Sequence, residues 1–516
     1  MSALLCLVAI LNFFFTFAGA QKDLYMPCPL LGPPVPPPTI DPKSAAIRKI
    51  SKQFSAFIDQ YVAAGDGDFG PITSNKTSFS IALFAGSNYV ASEADPSFFS
   101  EYHHEAELTN NDADTLSADS KFAVGELTQL FTVYALLIEL GDEVLGRSIT
   151  YYLPELKGLS NVRNALTQVR WEDVTLASLA GHMSGIARSS EACSINRECS
   201  AQDLLKELAT SPPIYLPDTT PIFSVAAFQL LIGALERETG KAFAQILSGS
   251  IFSPLNKTNT SLLAESAPNG NLSSPSQLYG NGLSNTSHVG EPAALGLTTT
   301  ISDLSTAGRA MLTSRLISPA MTRRWLKPHT STSNIKNSVG RPWEIYHYGG
   351  NDSVMDIYTK SGTLGSYSSY FGLVPDYDIG FAILAVNHDE EAAPDLNAYA
   401  DMCIAALSLV QELAYTTANK TLAGTYRAEK VITDSSLVLD LDLRLPGLHI
   451  SSLVVNGTDY LATIATLTGA QIGDLDMRLY PTKLVEQSNG VKRQAYRAVI
   501  QDMNALVDAG TPACIS

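Results

Sequence analysis

Phe122-Ala-Val-Gly125-Glu126-Leu-Thr-Gln129-Leu-Phe-Thr132 opens the segment whose reading decides the fold. Apolar side chains at Leu127, Leu130, Phe131, Tyr134, Leu136, Leu137, Ile138 and Leu140 wrap most of a helical surface. That pattern predicts a buried central helix that begins at Glu126 and stops at Gly141. Glu126 and Gln129 stand three apart at its first turn, where free backbone amides and the helix dipole stabilise a carboxylate.

Working outward, Tyr151-Tyr-Leu-Pro-Glu-Leu156 is followed by the stretch from Trp171 to Ile186, which closes with Gly181-His182-Met-Ser184-Gly185. Pro221-Ile-Phe223-Ser224-Val225 precedes another apolar helix that runs to Glu236. Asp356-Ile-Tyr-Thr-Lys360-Ser361-Gly362 leads into Tyr367 to Pro375 and, after an Asp376-Tyr-Asp378 turn, Ile379 to Val386. Those two apolar runs predict an antiparallel pair with Lys360 near the start of the first strand. In this order the segments resemble the class C β-lactamase and D-alanyl-D-alanine-peptidase family, from roughly Ser44 to Leu413. Trp325-Leu-Lys-Pro328 and Pro342-Trp343-Glu-Ile345 resemble its fungal members. The resemblance implies an α/β (α+β) fold with a central antiparallel sheet and a helical subdomain.

It also implies a site built from three elements: Ser-x-x-Lys, Tyr-x-Asn and Lys-Thr/Ser-Gly. In the family the serine attacks an acyl carbon and the lysine helps remove its proton. Here Glu126 and Gln129 stand at the first pair, and Phe223, Ser224 and Val225 at the second. Lys360, Ser361 and Gly362 match the third. The resemblance places Glu126 and Lys360 at the centre of a pocket lined by Gln129, Phe223, Ser224, Val225, Ser361 and Gly362. Two arrangements follow. Glu126 pairs with Lys360 and fills the oxyanion site, or the two act as an acid and base on a ligand with no acyl-enzyme. Ser333-Asn-Ile-Lys336 matches Ser-x-x-Lys literally but lies in a polar stretch with no apolar helix behind it. Thr128 and Ser224 flank the right positions, yet adjacent side chains on a helix diverge. His182 and Ser184 read as groups satisfying backbone beside a tight glycine turn.

The 516 residues suggest a large domain and a smaller one. A net charge of -17 argues against a nucleic-acid partner and against docking on an anionic membrane. Met1 to Ala20 lacks charge, is rich in Leu and Phe, and ends in Ala18-Gly19-Ala20. It fits a secretory signal without the basic n-region and predicts a secreted protein. Of six cysteines, Cys193 with Cys199 and Cys28 with Cys514 are the proposed disulfides, leaving Cys403 in an apolar helical pattern. Eight glycosylation acceptors, Asn75, Asn256, Asn259, Asn271, Asn285, Asn351, Asn419 and Asn456, agree with a secretory route.

The domain reading is residues 1–20 as signal peptide, 21–43 as a Pro-rich arm, 44–415 as the β-lactamase-like domain and 416–516 as a small all-β domain. Within it we expect a helix from Ser44 to Val62, a pair of strands from Thr77 to Val90, and a polar loop from Ala91 to Ser120. A helix capped by Ser302 or Asp303 and a terminal helix from Ala393 to Leu413 complete the list. No metal or cofactor is called for, and the expected partner is a small-molecule ligand or substrate. Three activities fit the residues: altered chemistry without an acyl-enzyme, bearing on secondary metabolism; a catalytically inactive binding protein; or a serine hydrolase or acyltransferase whose nucleophile lies elsewhere.

Overall fold

The computed structural model describes residues 27, 29–87, 98–109, 115–159, 164, 166–189, 200–263, 278–280, 283, 291–349, 354–389, 392–428, 434–489 and 491–504. They form two compact units. One comprises the described residues of Pro37–Tyr348 and Met355–Ala414; the other those of Met1–Pro36, Gly349–Val354 and Tyr415–Ser516.

The larger unit is built on an eight-stranded sheet. Its strands are β1 (Thr77–Ala85), β2 (Ser100–His104), β3 (Thr330–Ser331), β4 (Asn337–Val339), β5 (Glu344–Gly349), β6 (Val354–Leu364), β7 (Tyr367–Val374) and β8 (Ile379–Asn387). Their order across the sheet is β2-β1-β8-β7-β6-β5-β4-β3. β1 is buried along its whole length, so it carries no alternation from which to find its end. Of the pair of strands expected from Thr77 to Val90 the described part holds one strand ending at Ala85, residues 88–90 lying outside the described residues, and its partner β2 lies inside the stretch expected to be a loop. As the last strand of the sheet, β2 keeps polar, partly exposed residues.

Helix α1 (Ala45–Ala64) begins at Ser44, whose hydroxyl accepts the Ile47 amide, and ends at Gly65 in the left-handed region. The decisive segment enters as a 3-10 turn over Gly125–Leu127 and becomes α2 (Thr128–Leu140), buried from Thr128 through Leu137. A helix apolar on all sides is stable only inside a core. Leu130, Phe131, Tyr134 and Leu137 of α2 share that core with Phe228, Leu231 and Leu235 of α3 (Ala226–Thr239). Thr300, not Ser302 or Asp303, caps α4 (Ile301–Leu312): its hydroxyl accepts the Asp303 amide at 3.1 Å. Asp303 instead accepts from Thr260 at 2.7 Å and pairs with Lys257. The terminal helix α5 (Asn397–Thr421) starts later and runs further than Ala393 to Leu413, because Ala414, Tyr415 and Ala418 extend its buried stripe.

The second unit carries a sheet of β9 (Gly424–Arg427), β10 (Ser436–Asp440), β11 (Leu448–Val455), β12 (Thr458–Asp459), β13 (Leu475–Ser488) and β14 (Val491–Asp502). Its order is β9-β10-β11-β13-β14, with β12 beside β11. The sheet is accompanied by α6 (Tyr460–Thr468), which the expectation of an all-β domain did not contain. Asp459 caps it by accepting the Leu461 and Ala462 amides, and Gly469 ends it in the left-handed region. Leu461 and Ile464 pack on a small core of Leu439, Ile450 and Met477.

Candidate active site

The site forms where the first turn of α2 meets β6. Gly125 takes a left-handed φ of +53°, and a Cβ there would lie 2.3 Å from the Thr363 carbonyl oxygen. A Cβ on Gly362 would lie 2.2 Å from Val124 O and 2.6 Å from Glu126 N. Both glycines are therefore required for backbone to touch backbone across this seam. The Ser369 hydroxyl donates to Val124 O at 2.7 Å and fastens β7 to the same turn.

At the seam the Thr363 amide donates to Glu126 Oε2 at 2.7 Å. Glu126 does not pair with Lys360. The Lys360 ammonium, on a residue 1% exposed, lies 2.7 Å from Glu344 Oε1 on the neighbouring strand and donates to the Ser361 carbonyl. Glu344 Oε2 also accepts from the Ser361 amide and hydroxyl. The adjacent strand thus supplies the counter-ion before the helix can.

The segment after His182 is zipped to the Phe223 region by backbone. Ile222 N donates to His182 O at 2.8 Å and Val225 N to Arg188 O at 2.6 Å. This places the Phe223 ring 5.6 Å from Lys360 Nζ and 4.9 Å from the Arg188 guanidinium, within cation–π range of both. His182, also left-handed at φ +56°, packs against Phe223 with ring centres 4.7 Å apart and planes tilted by 32°. Its Nδ1 accepts the Ser224 amide at 3.2 Å. Burial and then the Lys360 charge push its pKa down to about 3, so the imidazole is neutral. Its Nε2 is buried with no hydrogen-bond partner among the described residues.

The hydroxyls near the expected nucleophile positions are engaged with backbone. Ser224 donates to Ala187 O at 2.7 Å and accepts the Ala227 amide of α3. Thr128 donates to Gly125 O at 2.7 Å and accepts from Leu297 N. Ser333 and Lys336 are exposed residues of the turn joining β3 and β4. Gln129 is fully buried, and among the described residues neither its Oε1 nor its Nε2 has a partner. Val225 is buried at the end of α3 that carries Phe223.

Cys28, Cys193, Cys199 and Cys514 lie outside the described residues, as do Asn271, Asn285, Asn351 and residues 1–20. Cys403 is a buried free thiol whose pKa burial raises. Asn75, Asn256, Asn419 and Asn456 are exposed and Asn259 is half-buried. Among the described residues no group of three or more His, Cys, Asp or Glu is placed to hold a metal ion. No helix among them is long and apolar enough to cross a membrane.

Four contributors were not assigned from sequence: Glu344, Thr363, Arg188 and the packing of His182 on Phe223. Glu344 sits inside the quoted Pro342 to Ile345 segment, and Thr363 follows Lys-Ser-Gly directly, so both had a positional signal. Arg188 had none.

A family model described as "Beta-lactamase" matches residues 101–406, more than half of the chain. A second, described as "Beta-lactamase-like-like, C-terminal domain", matches residues 414–516. A β-lactamase-like protein of Arthroderma benhamiae is 29% identical over 533 aligned positions, covering 92% of this chain and 85% of the relative. A probable hydrolase of a Phoma species is 24% identical, covering 73% and 67% of the two chains. The crystal structure of a β-lactamase/D-alanine carboxypeptidase from Yersinia pestis complexed with citrate is 18% identical with a TM-score of 0.51. That alignment covers 70% of this chain and 99% of the other, a likeness of fold. With its sheet, its buried helix α2 and its Lys360 element in the family's order, the chain belongs to the β-lactamase family, among β-lactamase-like hydrolases with fungal relatives.

Proposed function

We propose that this family member is a secreted glycoprotein whose pocket works on a small molecule without an acyl-enzyme, with Glu126 as the acid–base group. The carrying observation is the bond from the Thr363 amide to Glu126 Oε2. A backbone donor that could stabilise an acyl oxyanion is already engaged by an anion of the chain itself. Glu126 Oε1 has no partner among the described contacts, and the side chain is half-buried, so one oxygen remains to give or take a proton. Phe223 offers no phenol to shuttle a proton and Gln129 no amine. Lys360, held by Glu344 and beside Phe223, lines the pocket as a fixed cation.

Secretion and glycosylation are supported by the character of Met1 to Ala20 and by four exposed acceptor asparagines. A secondary-metabolite ligand is supported by the likeness of Trp325–Pro328 and Pro342–Ile345 to fungal members. A second reading, binding without catalysis, is favoured by the engagement of Lys360 and of one Glu126 oxygen within the chain.

The test is intact-mass spectrometry of the deglycosylated protein after exposure to a β-lactam, with peptide mapping of any adduct. We expect no adduct at Thr128, Ser224 or Ser361; one at any of them overturns the proposal. Once a turned-over ligand is found, Glu126→Gln abolishes turnover while retaining binding if Glu126 is the acid–base group. Unchanged turnover in that folded variant excludes this role.

A further inference from the structure

A second polar constellation lies on the same sheet. The Ser338 hydroxyl on β4 is 2.8 Å from His347 Nε2 on β5, and His347 Nδ1 is 2.7 Å from Asp356 Oδ1 on β6. Ser338 pairs directly with Ile345, so His347, two residues on, shares its face of the sheet as a diagonal neighbour. The tautomer follows from the partners. A carboxylate only accepts, so Nδ1 carries a proton, and in the neutral imidazole Nε2 then accepts from the Ser338 hydroxyl. This is the arrangement in which an imidazole activates a serine while a buried carboxylate orients it.

Two other serine–histidine contacts in the described residues differ in instructive ways. Ser78 faces His388 Nε2, but its oxygen also accepts the Ala106 amide, and no carboxylate partner is described for His388. Ser80 faces His103 Nδ1, with Glu101 at 3.2 Å on the other nitrogen, but Ser80 is completely buried and Glu101 largely exposed. At Ser338 both ends of the chain are buried, the acid with a side chain 11% exposed, and the imidazole, 22% exposed, is the group nearest solvent. Ser338 itself is 6% exposed, and among the described residues its hydroxyl has no other hydrogen bond. Asp356 and Lys360 are four residues apart on β6, about 13 Å along an extended strand, so the two sites are separate.

We propose that Ser338, His347 and Asp356 form a nucleophilic triad that accepts acyl groups from small carboxylic esters. Ser338 Oγ forms a bond to the ester carbonyl carbon as its proton passes to His347 Nε2. The ester C–O bond breaks and the departing alkoxide takes that proton and leaves as an alcohol. Water, deprotonated by His347, then releases the carboxylic acid and restores Ser338. Asp356 stabilises the transient imidazolium.

The test is labelling of the full-length protein with a fluorophosphonate, in which Ser338 Oγ forms the P–O bond and fluoride leaves. The expected result is a single adduct mapped to Ser338. Ser338→Ala abolishes it, and Asp356→Asn slows it on the order of 10²–10⁴-fold. Ser333→Ala, in the exposed β3–β4 turn, leaves it unchanged. No adduct on wild-type protein that melts cooperatively, an adduct on another residue, or an Asp356→Asn rate equal to wild type overturns the proposal. An adduct at Thr128, Ser224 or Ser361 overturns this proposal and also counts against the function proposed for the Glu126 site, whereas no adduct, or an unchanged Asp356→Asn rate, leaves that function standing, so the two failures are distinguishable.

Discussion

The cluster around Lys360 and the chain Ser338–His347–Asp356 share strand β6, yet they use their polar groups in opposite ways. Around Lys360 the ammonium meets Glu344, Glu126 meets the Thr363 amide, and Ser224 and Thr128 cap or brace backbone. In the triad each bond has a direction, running from the Ser338 hydroxyl through a half-buried imidazole to a buried acid, and among the described residues the hydroxyl is committed only to the histidine. Polar groups that satisfy one another hold a structure in place; a relay with one open end can move a proton. The contrast between a self-satisfied cluster and a directed chain of hydrogen bonds is the basis for proposing chemistry away from the Lys360 element.

The comparison breaks most severely at the seam. Gly362→Ala forces a Cβ against the backbone of Val124, Glu126 and Leu127, none of which can swing aside. We expect a loss of more than about 4 kcal/mol, or no folded protein, while the triad strands remain intact in sequence. Chemical denaturation and limited proteolysis would show it; a melting curve like that of the wild type would contradict the tight seam.

A smaller effect comes from acid. The unfolded His182 imidazole binds a proton below pH 6.5, the folded one only below about pH 3. Between those values protons favour the unfolded chain, so stability falls as pH drops, by up to about 1.4 kcal/mol per pH unit, and this term is absent above pH 6.5. His182→Asn suits the left-handed backbone and should flatten that part of the denaturation profile. An unchanged slope in the variant would mean that other groups set the acid limit.

Gln129 sharpens the comparison in the other direction. Its carboxamide is buried, and both polar atoms lack a partner among the described residues. Replacing it by Leu is expected to raise stability by about 1–3 kcal/mol, read as a higher denaturation midpoint. If the variant is instead destabilised, the amide holds a partner that matters to the fold. The smallest change is expected from Lys360→Met, below about 1 kcal/mol, because Glu344 is 44% exposed and stays hydrated when its partner is lost. A loss of several kcal/mol would show that the ammonium, and not the surrounding packing, holds the pocket together.

Much of the framework was legible because it is encoded locally. The apolar circumference of Leu127 to Leu140 marks a buried helix, and Gly141 ends it. The Tyr367 and Ile379 strands and the turn between them are written in consecutive residues. The expectation failed at β1, where burial on both faces erased the alternation that locates strand ends, and at α6, whose cap and i, i+3, i+4 stripe hid among short apolar runs. In the site, the motif positions of Glu126, Gln129, Phe223, Ser224, Val225, Lys360, Ser361 and Gly362 could be assigned from order alone. Their bonds could not. Ser338, His347 and Asp356 are spaced nine residues apart twice over, a regularity with no chemical meaning until three neighbouring strands stand side by side.

The sequence by itself determined that a carboxylate, Glu126, stands at the start of a buried helix, at the position the resemblance assigns to the family's serine. Periodicity and motif order are properties of a one-dimensional string and survive without coordinates. Only the tertiary structure decided that this carboxylate is bound by the Thr363 amide, that Lys360 belongs to Glu344, and that a serine, a histidine and an aspartate from three strands meet. Hydrogen bonds act over about 3 Å, and only strand register and chain packing bring distant residues that close.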